Sequence, residues 1–297
     1  MNKDLVSIKD LSVPEISGLF DLAAELKKNR KSHEQMLKGH TLGLIFEKPS
    51  NRTRVSFEVG MFELGGNSIY LGSEEIRLGK REAVKDAAKV LSRYLDCIVA
   101  RTFSHARFLE IVKNSDVPVI NGLTDLLHPC QALSDIFTIK EKKGLNGITL
   151  VFIGDANNVL NSLLYGCGKV GIKMNIASPK GYGPREDILE NSACDVKIFD
   201  SAEDAVKGAD VIYTDVWTSM GQEKEYKKRL RRFKKFQVNS ELLNLAKKDA
   251  MVMHCLPAHR GEEITDEVLD GKQSIVVDQA ENRLHMQKAI LVKLLRG

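Results

Sequence analysis

Thr41-Leu42-Gly43-Leu44-Ile45-Phe46-Glu47-Lys48-Pro49-Ser50-Asn51-Arg52-Thr53-Arg54 is an apolar run of strand length that breaks at a proline and a serine. It then passes into a segment carrying Val55, Val59 and Phe62 on one helical face. A strand that enters a helix through a short turn is the opening of a β-α-β unit, because parallel strands need a crossover, usually helical, to return. Outward from this stretch the rhythm repeats. In the first half, strands are expected at 41–46, 68–71, 97–100 and 117–120, with helical patterns at 83–95 and 105–113 between them. In the 83–95 pattern, Ala87, Val90, Leu91 and Tyr94 share one face. In the second half, strands are expected at 148–153, 173–177, 196–199, 211–215, 251–254 and 274–277.

Alternating strands and helices over 297 residues exceed the usual size of one domain, so the expected class is α/β with two Rossmann-like lobes, each a parallel sheet flanked by helices. A long helix at 125–143, stopped by Gly144, is the expected connector, and 283–295 reads as a returning C-terminal helix. The domains are accordingly drawn as 1–143 with 283–297, and 144–282.

Composition narrows the functional classes. Hydrophobic residues are 43% and charged residues 28%, ordinary for a globular chain, and 44 basic against 40 acidic residues leave a net charge of only +4. A general polyanion binder is not indicated, so any anion site is local. The apolar run 148–153 is far short of the roughly 20 residues a bilayer span requires, and no membrane association is expected. Lys3, Asp4, Lys9 and Asp10 interrupt the N-terminal segment, so no secretory signal is expected. Five scattered cysteines without a C-x-x-C pair fit a reducing cytoplasm and give no metal site.

Six short segments bear on the chemistry. At 47–54, a serine at the N-cap position, the orphan N–H groups of a helix start and two arginines in its first turn favour an anion, phosphate being the natural ligand; a capped helix with solvated arginines is the alternative. Arg101 follows the strand 97–100, at the strand end where open α/β sheets place ligand residues. His128-Pro129-Cys130-Gln131 sets His128 and Gln131 three residues apart on one helical face. Gly154-Asp155-Ala156-Asn157-Asn158 follows a strand but lacks G-x-G-x-x-G spacing, so no dinucleotide cofactor is expected. Asp215-Val216-Trp217-Thr218-Ser219-Met220-Gly221 and His254-Cys255-Leu256-Pro257 likewise follow strands. Cys255 read alone is more often inert core.

The ordered set Ser50-Asn51-Arg52-Thr53-Arg54, Arg101, His128-Pro129-Cys130-Gln131, Asp215 with Ser219-Met220-Gly221, and His254-Cys255-Leu256-Pro257 resembles the transcarbamylase family, and within it the ornithine carbamoyltransferases, over essentially the whole chain. The resemblance implies transfer of a carbamoyl group from carbamoyl phosphate to the δ-amine of L-ornithine, with no cofactor and no metal. It implies that Ser50, the Asn51 backbone, Arg52 and Thr53 hold the phosphate and that Arg101 bridges phosphate and carbonyl oxygen. His128 joins Arg101 and Thr53 on that oxygen, and Gln131, the Cys255 and Leu256 carbonyls and Arg283 position the carbamoyl group. Asn158, Asp215, Ser219 and Met220 would bind ornithine, and Asp215 with Cys255 would orient its δ-amine; Arg101, His128, Asp215 and Cys255 are thus the expected catalytic residues. Arg54 is read as a scaffold charge.

The implied chemistry fits these residue types, since amine attack on the carbamoyl carbon develops an oxyanion that preorganised donors stabilise. Two departures stand out. Asn51 occupies a position where the family usually has threonine, which a backbone donor tolerates, and Arg77 lies in the 74–81 loop that the family lends to a neighbouring active site. Such sharing implies a homotrimer or a multiple of trimers. Sister enzymes acting on putrescine or N-acylated ornithine are the nearest alternatives, disfavoured by Ser219-Met220-Gly221. The segment 224–236, with eight Lys or Arg in thirteen positions, offers a nucleic-acid-binding alternative, but interleaved Glu225, Phe233 and Phe236 read better as a solvated surface helix.

Overall fold

The computed structural model describes residues 3–30, 32–219 and 221–297. The chain divides into two compact units, Met1–Phe137 with Glu281–Gly297, and Thr138–Ala280.

The first unit contains α1 (Val13–Lys28), β1 (Thr41–Phe46), α2 (Asn51–Glu63), β2 (Asn67–Gly72), α3 (Ser73–Ile76), α4 (Val84–Leu91), β3 (Cys97–Arg101), α5 (His105–Asn114), β4 (Val119–Leu123) and the start of α6 (Pro129–Lys143). Its sheet is parallel, with strand order β2-β1-β3-β4. The central strands β1 and β3 are nearly continuous apolar runs, as strands covered on both faces require, whereas the edge strand β2 is partly exposed, and Ile45, Ile98, Ala100 and Val119 pack with Ala87, Phe108 and Ile111 into one core cluster.

The second unit contains the rest of α6, β5 (Thr149–Ile153), α7 (Asn158–Val170), β6 (Lys173–Ala177), α8 (Glu186–Ser192), β7 (Val196–Phe199), α9 (Ala202–Ala205), β8 (Val211–Thr214), α10 (Tyr226–Phe233), α11 (Ser240–Leu243), β9 (Met251–His254), α12 (Asp266–Leu269) and the first residues of α13 (Val276–Arg296). Its parallel order is β7-β6-β5-β8-β9. Val151, Ile153, Ile212 and Val252 form its core with Val238, Leu242 and Val268. Gly171, at φ +76°, ends α7 in the left-handed conformation that a residue without Cβ adopts freely. Among the described residues no helix is long and apolar enough to cross a membrane.

Several expectations need correction. The helix expected at 125–143 begins only at Pro129, which takes the first helical position where its missing N–H costs nothing, so His128 precedes the helix. Gly144 ends it at φ +75°, as expected, and the two compact units divide within α6, between Phe137 and Thr138. The strand expected at 274–277 is a single bridge, Ser274 to Val252, because α13 has already begun at Val276. The strand expected at 117–120 starts at Val119, after Pro118, which has no N–H to donate. On α4 the proposed apolar face is only partly buried: Ala87 is in the core, but the helix stops at Leu91 and Val90 and Tyr94 are exposed. On α2, Val55 and Phe62 are exposed too.

Candidate active site

In the first unit β1 and β3 are neighbours: the chain leaves β1 for β2 on one side and then crosses back past β1 to β3 on the other. This is the topological switch point at which open α/β sheets bind ligands. Phe46 and Arg101 are register partners there, so the loop after β1 and the end of β3 emerge together. Ser50 is the N-cap of α2, its hydroxyl oxygen accepting the Thr53 N–H at 3.3 Å. No acidic residue lies in the first turn of α2, so its positive end is not compensated by a carboxylate of its own.

Around that helix start the structure assembles Thr53, Arg283, Arg101 and His128. Arg283, from α13, donates through Nη2 to Thr53 Oγ1 at 2.8 Å, and the two residues are buried. Arg101 and His128 are only 6% and 5% exposed. Burial holds His128 well below the ordinary histidine range, and the nearby Arg283 and Arg101 charges push in the same direction. His128 is therefore a neutral ring at physiological pH, able to donate one hydrogen bond to a developing oxyanion. Gln131, on α6, donates through Nε2 to Asp135 Oδ1 at 2.8 Å, so its carbonyl oxygen faces the other way as an acceptor. Its neighbour Cys130 is a packing residue: burial pushes the thiol up to about 12, and it points at the Asn121 carbonyl.

Arg54 lies over the Tyr70 ring, 3.8 Å from its centroid, and bonds Glu58 at 3.0 Å. Arg77 follows α3 at φ +40° with its guanidinium folded onto Glu74, at 3.1 Å, in an exposed position.

In the second unit the switch point lies between β5 and β8. Asp215 sits one residue beyond β8, the strand ending at Thr214. Its carboxylate accepts from Asn157 Nδ2 at 2.6 Å, from its neighbour Val216 N–H at 2.8 Å and from Cys255 Sγ at 3.0 Å. Asn157 is the N-cap of α7, its Oδ1 accepting from Val159 and Leu160, so one side chain caps the helix and holds the carboxylate. Asn157 is not among the expected site residues, although an asparagine directly before an apolar helical run is a cap signal. Asn158 is the first residue of α7, and Ser219, half-buried, is held by the Gln222 side chain at 3.1 Å. Met220, also expected at this site, lies outside the described residues.

Cys255 and Leu256 follow β9 in a turn fixed by His254. The His254 Nδ1 accepts the Leu256 N–H at 2.8 Å, which assigns the ring proton to Nε2, and Nε2 meets Glu263 Oε1 at 2.9 Å. Leu256 has φ +57°. Glu263, fully buried and absent from the expectations, is therefore part of the scaffold that presents Cys255. Asp215, His254 and Cys255 bring ligand-type atoms within 4.8 Å of one another, as do His259, Glu262 and Glu263. With both His254 nitrogens committed, the first group offers a cation only a carboxylate and a thiol.

The basic segment is also resolved. It is not one helix over 224–236 but α10 flanked by single 3₁₀ turns. Arg229 turns inward and, only 6% exposed, donates to Asp155 Oδ2 at 2.8 Å, to the Trp217 carbonyl at 2.9 Å and to Glu225 at 3.0 Å. Trp217 stacks on Phe233 of the same helix. Burial raises Asp155 above the usual carboxylate range, the Arg229 charge opposing that shift. The segment thus braces the loop that carries Ser219.

Residues 3–141 match the family described as aspartate/ornithine carbamoyltransferase, carbamoyl-P binding domain, and residues 146–294 match its Asp/Orn binding domain. The chain is 52% identical to the ornithine carbamoyltransferase of Bacillus subtilis, covering 99% of this chain and 94% of that one. It is 51% identical to that of Methanosarcina acetivorans, covering all of both chains. Among solved structures, ornithine carbamoyltransferase from Pyrococcus furiosus superposes with a TM-score of 0.95 at 48% identity over 99% of this chain and 97% of that one. The anabolic enzyme from Campylobacter jejuni does so at 0.93 and 38% over 98% of each.

Proposed function

The chain belongs to the aspartate/ornithine carbamoyltransferase family and transfers the carbamoyl group of carbamoyl phosphate to L-ornithine, giving citrulline and phosphate; we propose that it does so with the two side-chain clusters described above. In this reading Ser50, the Asn51 N–H, Arg52 and Thr53 hold the phosphate and Arg101 reaches both phosphate and carbonyl oxygen. Thr53, Arg101 and neutral His128 stabilise the oxyanion of the tetrahedral intermediate, where loss of one well-placed donor costs about 3–4 kcal/mol of barrier. Gln131, Arg283 and the Cys255 and Leu256 carbonyls orient the carbamoyl group. Asn158, Ser219 and Met220 bind the amino-acid end of ornithine, and Asp215 with Cys255 orients the δ-amine, which must be deprotonated to attack.

The observation that carries this reading is the buried pair Arg101 and Arg283 beside a histidine held neutral, a concentration of positive charge at a sheet switch point that a bound dianion would offset. The test is phosphate release, with the carbamoylated product identified, assayed with ornithine, putrescine and N-acetylornithine, each with carbamoyl phosphate. Activity confined to ornithine supports the assignment, and faster turnover of either alternative amine contradicts it.

Two further parts of the proposal concern setting. A homotrimer, with Arg77 lent to a neighbouring site, is supported by the exposed apolar residues Val55 and Phe62 on α2 and Ile69 on the edge strand β2, surface a second copy would cover. Sedimentation at a monomer mass would overturn it. A cytoplasmic location is supported by five cysteines held as thiols rather than in disulfides.

A further inference from the structure

Glu47 stands three residues before the N-cap of α2, and none of the roles above uses it. Its backbone N–H donates to the Arg101 carbonyl at 2.8 Å, continuing the β1–β3 pairing one step past the strand ends. Its carboxylate is only 10% exposed and both oxygens are engaged: Oε2 accepts the Phe103 N–H at 3.0 Å, and Oε1 is paired with Arg107 Nη1 from the first turns of α5. The next residue, Lys48, is itself buried, with its ammonium 4.6 Å from the centroid of the Phe103 ring. One acidic side chain therefore joins the loop that opens α2 to the loop that follows Arg101.

A carboxylate this near an anion-binding loop repels the ligand unless something outweighs that cost. Arg107 neutralises it locally, and the gain is geometric. Ser50 to Thr53 and Arg101 arrive on two different loops, and a phosphate can be gripped by both only if the loops keep one register. Misplacement of a binding group by a fraction of an ångström to 1 Å is enough to cost one to two orders of magnitude in rate. We propose that Glu47, held by Arg107, is a positioning residue that fixes the α2 start and Arg101 relative to each other for phosphate binding. The proposal rests on the assignment of Ser50 to Thr53 and Arg101 to phosphate.

The test uses the full-length enzyme and inorganic phosphate as the probe, titrated calorimetrically into wild type, Glu47→Gln, Arg107→Gln, the double variant and Arg101→Ala, with the ornithine KM measured at saturating carbamoyl phosphate. Glu47→Gln keeps the shape and an acceptor for Phe103 but loses the charge pairing. The expected result is a phosphate affinity lowered about tenfold in each single variant, no further loss in the double variant because the two act as a unit, and an ornithine KM within twofold of wild type. Should Glu47→Gln not fold, Arg107→Gln reads the same coupling alone. Unchanged phosphate affinity in Glu47→Gln with a large loss in Arg101→Ala overturns the positioning role and leaves the phosphate site standing. Unchanged affinity in both removes the site assignment itself. An equal weakening of phosphate and ornithine together with a lowered Tm assigns Glu47 a purely structural role and overturns the proposal.

Discussion

Cys255 Sγ lies 3.0 Å from Asp215 Oδ1, so a thiol on the turn after β9 and a carboxylate on the loop after β8 form one unit at the ends of neighbouring strands. The Asn157 amide holds the other carboxylate oxygen at 2.6 Å. Asp215 is thereby fixed on two sides with an orientation set before any amine arrives.

If this pair orients the δ-amine, Asp215→Asn lowers kcat by about 10²-fold or more, the range for loss of a positioned proton-handling group, while KM for carbamoyl phosphate stays within a few-fold. Cys255→Ala gives a smaller fall in the same direction. Steady-state kinetics varying each substrate separately measures both. A kcat within twofold of wild type in Asp215→Asn removes the residue from the chemistry.

His128 provides a pH test. Its folded-state pKa is depressed by burial and by two arginines, so below an unfolded-state value of about 6.5 the unfolded chain binds a proton that the folded chain refuses. Stability is full above that value and declines as pH falls toward the depressed folded pKa, by at most about 1.4 kcal/mol per pH unit for this one proton. His105 and His285 are depressed in the same sense, again chiefly by burial, so the informative quantity is a difference. Urea unfolding between pH 7 and 5 is expected to show a shallower decline in His128→Asn than in wild type.

Arg229 is the inward member of an otherwise solvated basic segment. Removing one partner of a buried ion pair costs about 3–5 kcal/mol, because the other is left buried and uncompensated, so Arg229→Gln is expected to lower the unfolding midpoint and Asp155→Asn to restore part of the loss in the double variant. Because Arg229 also holds the Trp217 carbonyl, the ornithine KM is expected to rise while that of carbamoyl phosphate does not. Equal changes in both would detach the basic segment from the Ser219 loop.

The alternation of strand and helix was legible because parallel strands such as 41–46 and 251–254 are short, buried, largely apolar runs, and even the more exposed 173–177 and 196–199 keep clear breaks; these four have the expected limits in the structure. What failed had a local cause. The pattern before Pro129 could not show that the helix waits for the proline, and Ser274 to Val277 has strand composition but only one bridging residue. Catalytic-type residues at strand ends, such as Arg101 and Asp215, could be read from position. Their supports could not. Glu47, Arg229 and Glu263 act through partners 54 to 74 residues away or through a histidine ring whose tautomer depends on a turn, and no short-range pattern encodes such pairings.

The division of labour between the two units is tested most directly by citrulline-forming kinetics on Arg52→Ala and Ser219→Ala, each substrate varied with the other saturating. The account predicts that Arg52→Ala raises KM for carbamoyl phosphate by at least about tenfold with little change for ornithine, and that Ser219→Ala does the reverse. Equal loss of affinity for both substrates in either variant would contradict it.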